Sequence, residues 1–159
     1  MITAVDTNIL LDILIPDEPF RMASKNLLEH HVLKGQLIIC EVVYAELAAG
    51  FRSENELKTF LMETGIRLTY SNEKSLYIAG TRWAEYARKG NKDLVSCPAC
   101  GKTFGVSCPQ CKTPFAKRLH VLADFLIGAH ALTQADCIIS RDLGVYKTHF
   151  KDLNVVNSV

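Results

Sequence analysis

The chain has 159 residues, of which 48% are hydrophobic and 22% are charged, and its formal net charge is +1. This composition is typical of one globular domain, or of one domain with a small insertion, and it excludes a disordered chain. The near-neutral charge argues against a large basic surface that follows a nucleic-acid backbone, although a bound metal ion can supply positive charge locally. The sequence contains neither a long apolar run nor a basic and then apolar leader, so we expect a cytoplasmic protein without a membrane span.

Short apolar strands alternate with helical segments along the chain. The apolar run 2–5 predicts a first strand, and the helix that follows Asp6 is broken by Pro16 and Pro19. Further helices are predicted at 21–33, 42–51, 54–63, 73–88 and 121–132, further strands at 37–40, 66–70, 137–140 and 154–156, and a short helix or turn at 142–150. This alternation predicts an α/β sandwich around a mostly parallel central sheet.

Four acidic residues lie in segments that this topology brings towards one edge of the sheet. Asp6 ends the first strand, and Asp142 comes shortly after the strand at 137–140. Glu46 lies on the helix after the second strand, and Asp124 lies at the start of a late helix. Ligands of α/β sheets bind outside the carboxyl ends of the strands, and carboxylates are ligands that Mg²⁺ and Mn²⁺ prefer. The pattern therefore indicates a site for one or two such ions, which would activate a water and stabilise the charge on a scissile phosphate.

Each acid taken alone also has a simpler interpretation. Asp6 could be only a helix N-cap, and Asp124 could be an acid favoured by the dipole at a helix start. Glu46 could be a solvated helix residue, and Asp142 could belong to a turn. The metal site is therefore predicted from the four positions jointly.

The stretches that carry these acids resemble the PIN domain, in particular the VapC-like toxins of bacterial toxin–antitoxin pairs. They occur in the order of the family and cover essentially the whole chain apart from a cysteine-rich segment: VDTNILLD at 5–12, VYAEL at 43–47, ADFLIGAHA at 123–131 and IISRD at 138–142. The resemblance implies a three-layer sandwich. It also implies a metal site with these ligands and supporting residues: Asp6, Glu46, Asp124 and Asp142, supported by Asn8 and Ser140.

The same resemblance implies an endoribonuclease that depends on Mg²⁺ or Mn²⁺ and cleaves RNA. It also implies a cognate antitoxin that holds the enzyme inactive, and it is compatible with a homodimer. A PIN nuclease of RNA processing or DNA metabolism, and a binding module without catalysis, are the alternatives. Asp12, Asp136 and Asp152 match no catalytic position and are predicted to be surface or cap residues. His130, which shares a helix with Asp124, is predicted to be a structural histidine.

Four of the six cysteines form two C-x-x-C pairs that are separated by seven residues: Cys97 and Cys100, then Cys108 and Cys111. In a reducing compartment this spacing favours metal binding, and four thiolates are typical of structural Zn²⁺, with an iron–sulfur centre or a redox pair as the alternatives. We therefore expect a zinc knuckle at 92–117, inserted into a PIN-like nuclease domain formed by 1–91 and 118–159. Cys40 and Cys137 lie in apolar strands and are predicted to be core thiols.

Overall fold

The computed structural model describes residues 1–16, 18–89, 94–96, 103–112 and 122–157. Its main sheet has five strands, in the spatial order β3 (Ile66–Leu68), β2 (Gln36–Ile39), β1 (Ile2–Val5), β6 (Cys137–Ile139) and β7 (Val155–Val156). Every pairing in this sheet is parallel. The predicted α/β fold with a parallel central sheet is therefore confirmed.

Seven helices of the described ranges connect and flank these strands: α1 (Thr7–Leu14), α2 (Arg21–Lys34), α3 (Glu41–Ala48), α4 (Glu54–Thr64), α5 (Glu73–Lys89), α6 (Leu122–Gln134) and α7 (Leu143–His149). They follow the predicted segments closely. The helix predicted at 42–51 ends earlier, because Gly50 lies in this stretch and glycine weakens a helix. Within the described ranges, no helix is both long enough and apolar enough to cross a membrane.

Local sequence explains how α4 begins and ends. The side-chain oxygen of Ser53 accepts the backbone N–H of Glu56 at 3.2 Å, which is a standard N-cap interaction. At the other end Gly65 has a φ of 68°, the left-handed conformation that glycine adopts without steric cost. This abrupt stop allows β3 to begin at the next residue and to pair with β2.

A second, smaller sheet lies inside the segment predicted to be an insertion. It consists of β4 (Leu94–Ser96) and β5 (Thr103–Gly105), which are antiparallel. Cys97 and Cys100 lie outside the described residues, whereas Cys108 is half-buried and Cys111 is exposed. The boundaries of the insertion and its zinc site remain predictions.

The core lies between the main sheet and its helices, and it includes both predicted core cysteines. Cys40 and Cys137 are 1% and 2% exposed. Burial raises the pKa of the Cys40 thiol to about 11, so this thiol stays protonated and unreactive at neutral pH. His130 is also buried, and its Nδ1 accepts a hydrogen bond from Nε2 of Gln134 at 2.9 Å, as expected of a structural histidine.

One prediction about the acidic residues is wrong. Asp12 is not a surface or cap residue, because it is only 1% exposed and its carboxylate pairs with Arg141 at 2.6 Å. This pairing holds the carboxylate inside the protein, where an unpaired charge would be very unfavourable. Asp136 and Asp152 are exposed, as predicted.

The contact between Gly128 of α6 and the ring of Phe150 gives a first prediction. A Cβ at Gly128 would lie 2.9 Å from Cε2 of Phe150, whose side chain is 0% exposed. We expect Gly128→Ala to lower the free energy of unfolding by about 1–3 kcal/mol, because the packed ring has to move. Gly80 of α5 is the matched control, since nothing lies within 4 Å of a Cβ built there. Gly80→Ala should raise the free energy of unfolding by up to about 1 kcal/mol. Urea denaturation measures both variants, and equal effects would contradict this account.

Candidate active site

Asp6 lies at the carboxyl end of β1 and is only 5% exposed. Its Oδ2 accepts hydrogen bonds from Ser140 Oγ at 2.5 Å, Asn8 Nδ2 at 2.8 Å and the Tyr146 hydroxyl at 3.3 Å. Asp6 occupies the N-cap position of α1, but its side chain makes no capping hydrogen bond there. The simpler N-cap interpretation therefore does not account for this carboxylate.

Ser140 and Asn8, the two predicted supporting residues, connect the start of α1 to the segment after β6. Ser140 is fully buried, and its Oγ accepts the backbone N–H of Asp142 at 3.0 Å and Nδ2 of Asn8 at 3.1 Å. Oδ1 of Asn8 accepts the backbone N–H of Arg141 at 3.1 Å. Both side chains thus orient the Asp6 carboxylate and the loop that carries Asp142.

Glu46 and Asp142 approach this edge from α3 and from the start of α7. The hydroxyl of Thr7 donates a short hydrogen bond to Oε2 of Glu46. Asp142 is the N-cap of α7, where its Oδ1 accepts the backbone N–H of Gly144 at 2.8 Å. One oxygen of Asp142 therefore caps the helix, a role that differs from the turn residue of the simpler interpretation.

Asp124 lies in the first turn of α6 and is half-buried. Burial, and then the negative charges of Asp6, Asp142 and Glu46, raise its pKa to about 6. Burial also raises the pKa of Asp6, while the hydrogen bonds that it accepts act in the opposite direction. The structure therefore brings Asp6, Glu46 and Asp142 within electrostatic reach of Asp124.

The donor chemistry of this edge fits a hard divalent cation. Within the described ranges no three acidic, histidine or cysteine side chains are gathered in the arrangement of a metal site. The four carboxylates nevertheless offer only oxygen donors, which Mg²⁺ and Mn²⁺ prefer. In the part of the chain that the structure describes, none of the four forms an ion pair with a cationic side chain. A cation bound here would compensate a concentration of negative charge that is otherwise unfavourable.

Two residues at this edge were missed in the analysis of the sequence. Tyr146 is buried at 1% exposure, and burial followed by the charge of Asp6 raises the pKa of its phenol, which keeps it a hydrogen-bond donor. It lies four residues after Asp142, which places both on one face of the helix, and this spacing was the available signal. Thr7, which holds Glu46, directly follows Asp6 in the sequence, and this position was the available signal.

Comparison with known proteins identifies the family. The family model of the PIN domain matches residues 3–97, which is more than half of the chain. This chain belongs to the PIN domain family. PIN domains are generally nucleases. The resemblance to the PIN domain is therefore confirmed at the level of the family, and the match contains the first two of the four stretches, at 5–12 and 43–47.

Solved structures extend this likeness over the full length of the PIN chain. VapBC2 from Rickettsia felis, bound to a DNA fragment from its promoter, superposes with a TM-score of 0.63 at 18% identity over 99% of this chain and 98% of the other. VapBC-1 from nontypeable Haemophilus influenzae superposes with a TM-score of 0.60 at 19% identity, over 99% of this chain and 98% of the other. DNA-bound VapBC from Salmonella typhimurium superposes with a TM-score of 0.59 at 13% identity, over 100% of this chain and 99% of the other. At these identities the likeness establishes the fold. No curated protein matches this sequence.

Proposed function

We propose that this PIN domain is a divalent-metal-dependent endoribonuclease and the toxin of a type II toxin–antitoxin pair. The observation that supports the proposal most directly is the approach of four carboxylates at the carboxyl edge of the sheet: Asp6, Glu46, Asp124 and Asp142. The family of the chain and the sequence resemblance to VapC-like toxins supply the class of reaction, which is hydrolysis of phosphodiester bonds in RNA.

The four acids are the proposed ligands of one or two Mg²⁺ or Mn²⁺ ions. Such ions, when bound, supply an activated water and stabilise the negative charge of the reacting phosphate. The contribution of the chain is to hold the donors in position before a cation arrives. Ser140 and Asn8 fix one oxygen of Asp6, and Thr7 fixes one oxygen of Glu46. Side chains that orient a ligand in this way commonly change metal affinity or activity by about 10- to 100-fold when they are replaced.

A cognate antitoxin is the proposed partner, and the VapBC structures with the same fold support this choice. A surface groove of about 690 Å³ between α1, α2 and α4 offers apolar side chains for such a contact. Two of them, Val32 and Leu33, are 45% and 88% exposed. Contiguous exposed apolar surface commonly marks a site of protein association. A homodimer is a further proposal, and apolar surface of this kind is compatible with it.

Structural Zn²⁺ bound by Cys97, Cys100, Cys108 and Cys111 is a separate proposal, which rests on the spacing of the four thiols. The antiparallel pair β4–β5 supports it, because β5 falls in the spacer between the two cysteine pairs. Metal analysis of the purified protein should find about one zinc per chain, and removal of zinc should lower the melting temperature. A folded protein that contains no zinc would contradict the proposal.

The cysteine segment also supports the alternative of a PIN nuclease outside toxin–antitoxin pairs. VapC-like toxins usually lack such a module, and an added metal knuckle is suited to the selection of a particular RNA or DNA. This alternative shares the four acids and the hydrolytic reaction with the main proposal. It differs in predicting no arrest of growth when the protein is made without an antitoxin.

Expression of wild type and Asp6→Asn in cells tests the proposed function. We expect wild type to arrest growth and to degrade cellular RNA, and Asp6→Asn to do neither. Arrest that is relieved by the product of an adjacent reading frame would support the antitoxin. Cleavage by the purified protein without arrest would favour the alternative nuclease. Equal growth and intact RNA in both strains, with no cleavage by the purified protein, would favour a binding module.

A further inference from the structure

Asp12 and Arg141 form an ion pair beside the candidate active site, in which the carboxylate is buried and the guanidinium is half-buried. The carboxylate of Asp12 is 1% exposed, and its Oδ1 accepts Nη2 of Arg141 at 2.6 Å. Its Oδ2 accepts the hydroxyl of Ser24, from α2, at 2.5 Å. The guanidinium of Arg141 also lies over the ring of Phe20, with its Cζ 4.3 Å from the ring centre. Charge, hydrogen bond and ring contact together restrict this side chain to one position.

Arg141 is also held at its backbone by the same helix. Its N–H donates to Oδ1 of Asn8 at 3.1 Å, and Asn8 lies one helical turn before Asp12 on α1. Residues four apart share one face of a helix, so this face of α1 binds Arg141 at both its backbone and its guanidinium. A rotation of the loop about either contact would therefore break the other.

Arg141 lies between two residues of the candidate active site, so the attachment of Arg141 to α1 also holds them in place. Arg141 is flanked directly by Ser140, whose hydroxyl donates to Asp6 at 2.5 Å, and by Asp142. We propose that Asp12 and Arg141 are positioning residues of the active site, which lock the loop after β6 onto α1 and so set Asp142 relative to Asp6. This inference rests on the proposed function, since the loop matters only if these acids act together.

Stability alone is a weak explanation for the pair. A buried ion pair is often no more stabilising than apolar side chains of the same volume, and in some proteins it specifies one relative orientation of the segments that it joins. Asp12 and Arg141 are 129 residues apart in sequence. Their contact therefore holds α1, near the start of the chain, and the loop after β6 in one relative orientation.

The chain contains a matched control at the opposite edge of the sheet. Arg82 makes two hydrogen bonds to Asp152, at 2.8 and 2.7 Å, and its Cζ lies 4.7 Å from the centre of the Phe150 ring. This pair joins the same two residue types, but its carboxylate is exposed, and Asp152 comes after the end of α7, on the side from which β7 begins. Its loss should affect folding without moving the four acids.

The test compares Asp12→Asn, Arg141→Gln and the double variant with Asp152→Asn. With Mn²⁺ and a fluorogenic RNA oligonucleotide, we expect Asp12→Asn to lower kcat by roughly 10- to 100-fold while KM stays within about threefold. The double variant, which leaves no buried charge unpaired, should lose no more than the more impaired single variant, because the two residues act as a unit. Asp152→Asn should retain the kcat of wild type.

Amide hydrogen exchange supplies a readout that needs no activity. In Asp12→Asn and in the double variant, the amides of Asp142 and Gly144 should exchange at least about tenfold faster than in wild type and in Asp152→Asn. Unchanged exchange at these amides would overturn the proposal, as would a fall in melting temperature with kcat intact. Wild type that cleaves no nucleic acid would instead refute the proposed function, and the exchange result would still decide whether the pair holds the loop.

Discussion

Asp6→Asn should abolish metal-dependent cleavage of RNA while leaving the protein folded. A bound cation stabilises the transition state of phosphate hydrolysis by several kcal/mol, and each 1.4 kcal/mol corresponds to a factor of ten, so the rate should fall at least about 10³-fold. The amide oxygen of asparagine can still accept the hydrogen bonds from Ser140 and Tyr146. Burial raises the pKa of Asp6, which means that its charged form is disfavoured in the folded chain. A neutral side chain there should not lower the melting temperature at pH 7.

Asp136→Asn is the control for this experiment. Asp136 is also an aspartate next to the main sheet, and its Oδ2 accepts the backbone N–H of Ile2 at 2.7 Å, at the start of β1. It lies at the amino edge of the sheet, away from the four acids, so its replacement should leave cleavage within about twofold of wild type. Surface substitutions usually change the free energy of unfolding by no more than about 0.5 kcal/mol, so the protein should also stay folded. The rate of cleavage and the melting temperature are measured for both variants. Asp6→Asn protein that is folded and fully active would refute the proposed metal site.

The arrangement at Asp6 was predictable from the sequence because its causes are local. An apolar run that ends in an acid places that acid at the carboxyl end of a strand, and a parallel sheet collects such ends at one edge. Asp142, after β6, follows by the same reasoning. Helix boundaries were equally accessible, since capping residues such as Ser53 and Gly65 act within a few residues of themselves.

Glu46 and Asp124 were much harder to predict. Each lies on a helix, where an acid is ordinarily a solvated or dipole-stabilised residue, so neither was persuasive without the other acids and the resemblance to the PIN family. Their approach to Asp6 depends on how α3 and α6 pack on the sheet. No periodicity within one helix contains that information.

The burial of Asp12 was not predictable for the same physical reason. Within α1 alone, an aspartate near the end of the helix suggests a solvent-exposed side chain. Its actual environment is formed by Ser24 and by Arg141, and the latter is 129 residues away in the sequence. A charge is buried only when a partner accompanies it, and the identity of that partner is a property of the tertiary fold.

Asp124→Asn should remove both a pH dependence of stability and a response to metal. The pKa of Asp124 is about 6 in the folded protein against a usual value of 3.8, so the folded chain binds this proton more tightly than the unfolded chain does. Stability falls with pH wherever the folded state holds the extra proton. Asp124 therefore reduces the stability of EDTA-treated protein progressively from about pH 4 to pH 6 and by a constant amount above that.

The measurement has to be a difference between the two proteins. Burial lowers the pKa of His31 and of His130, and these groups make stability rise with pH below the usual histidine pKa of 6.5. In wild type, this rise of stability with pH partly cancels the fall that Asp124 causes in the same pH range. Subtraction of the variant's melting temperature from that of wild type, at each pH from 4 to 8 with EDTA present, isolates the carboxylate. The difference should become more negative up to about pH 6 and then level off.

Added Mn²⁺ should make wild type more stable than Asp124→Asn, which is the opposite of their order in EDTA. The cation competes with the proton for the Asp124 carboxylate, so the affinity of wild type for Mn²⁺ should decline below about pH 6. At pH 7 with Mn²⁺ at 100 times its dissociation constant, binding raises the stability of wild type by about 2.7 kcal/mol, and Asp124→Asn should gain much less. Asp136→Asn should respond as wild type does. Equal stabilisation of Asp124→Asn and wild type by Mn²⁺ would show that the carboxylate does not bind the cation. A pH profile unchanged by the substitution would show that neither burial nor the neighbouring acids raise its pKa.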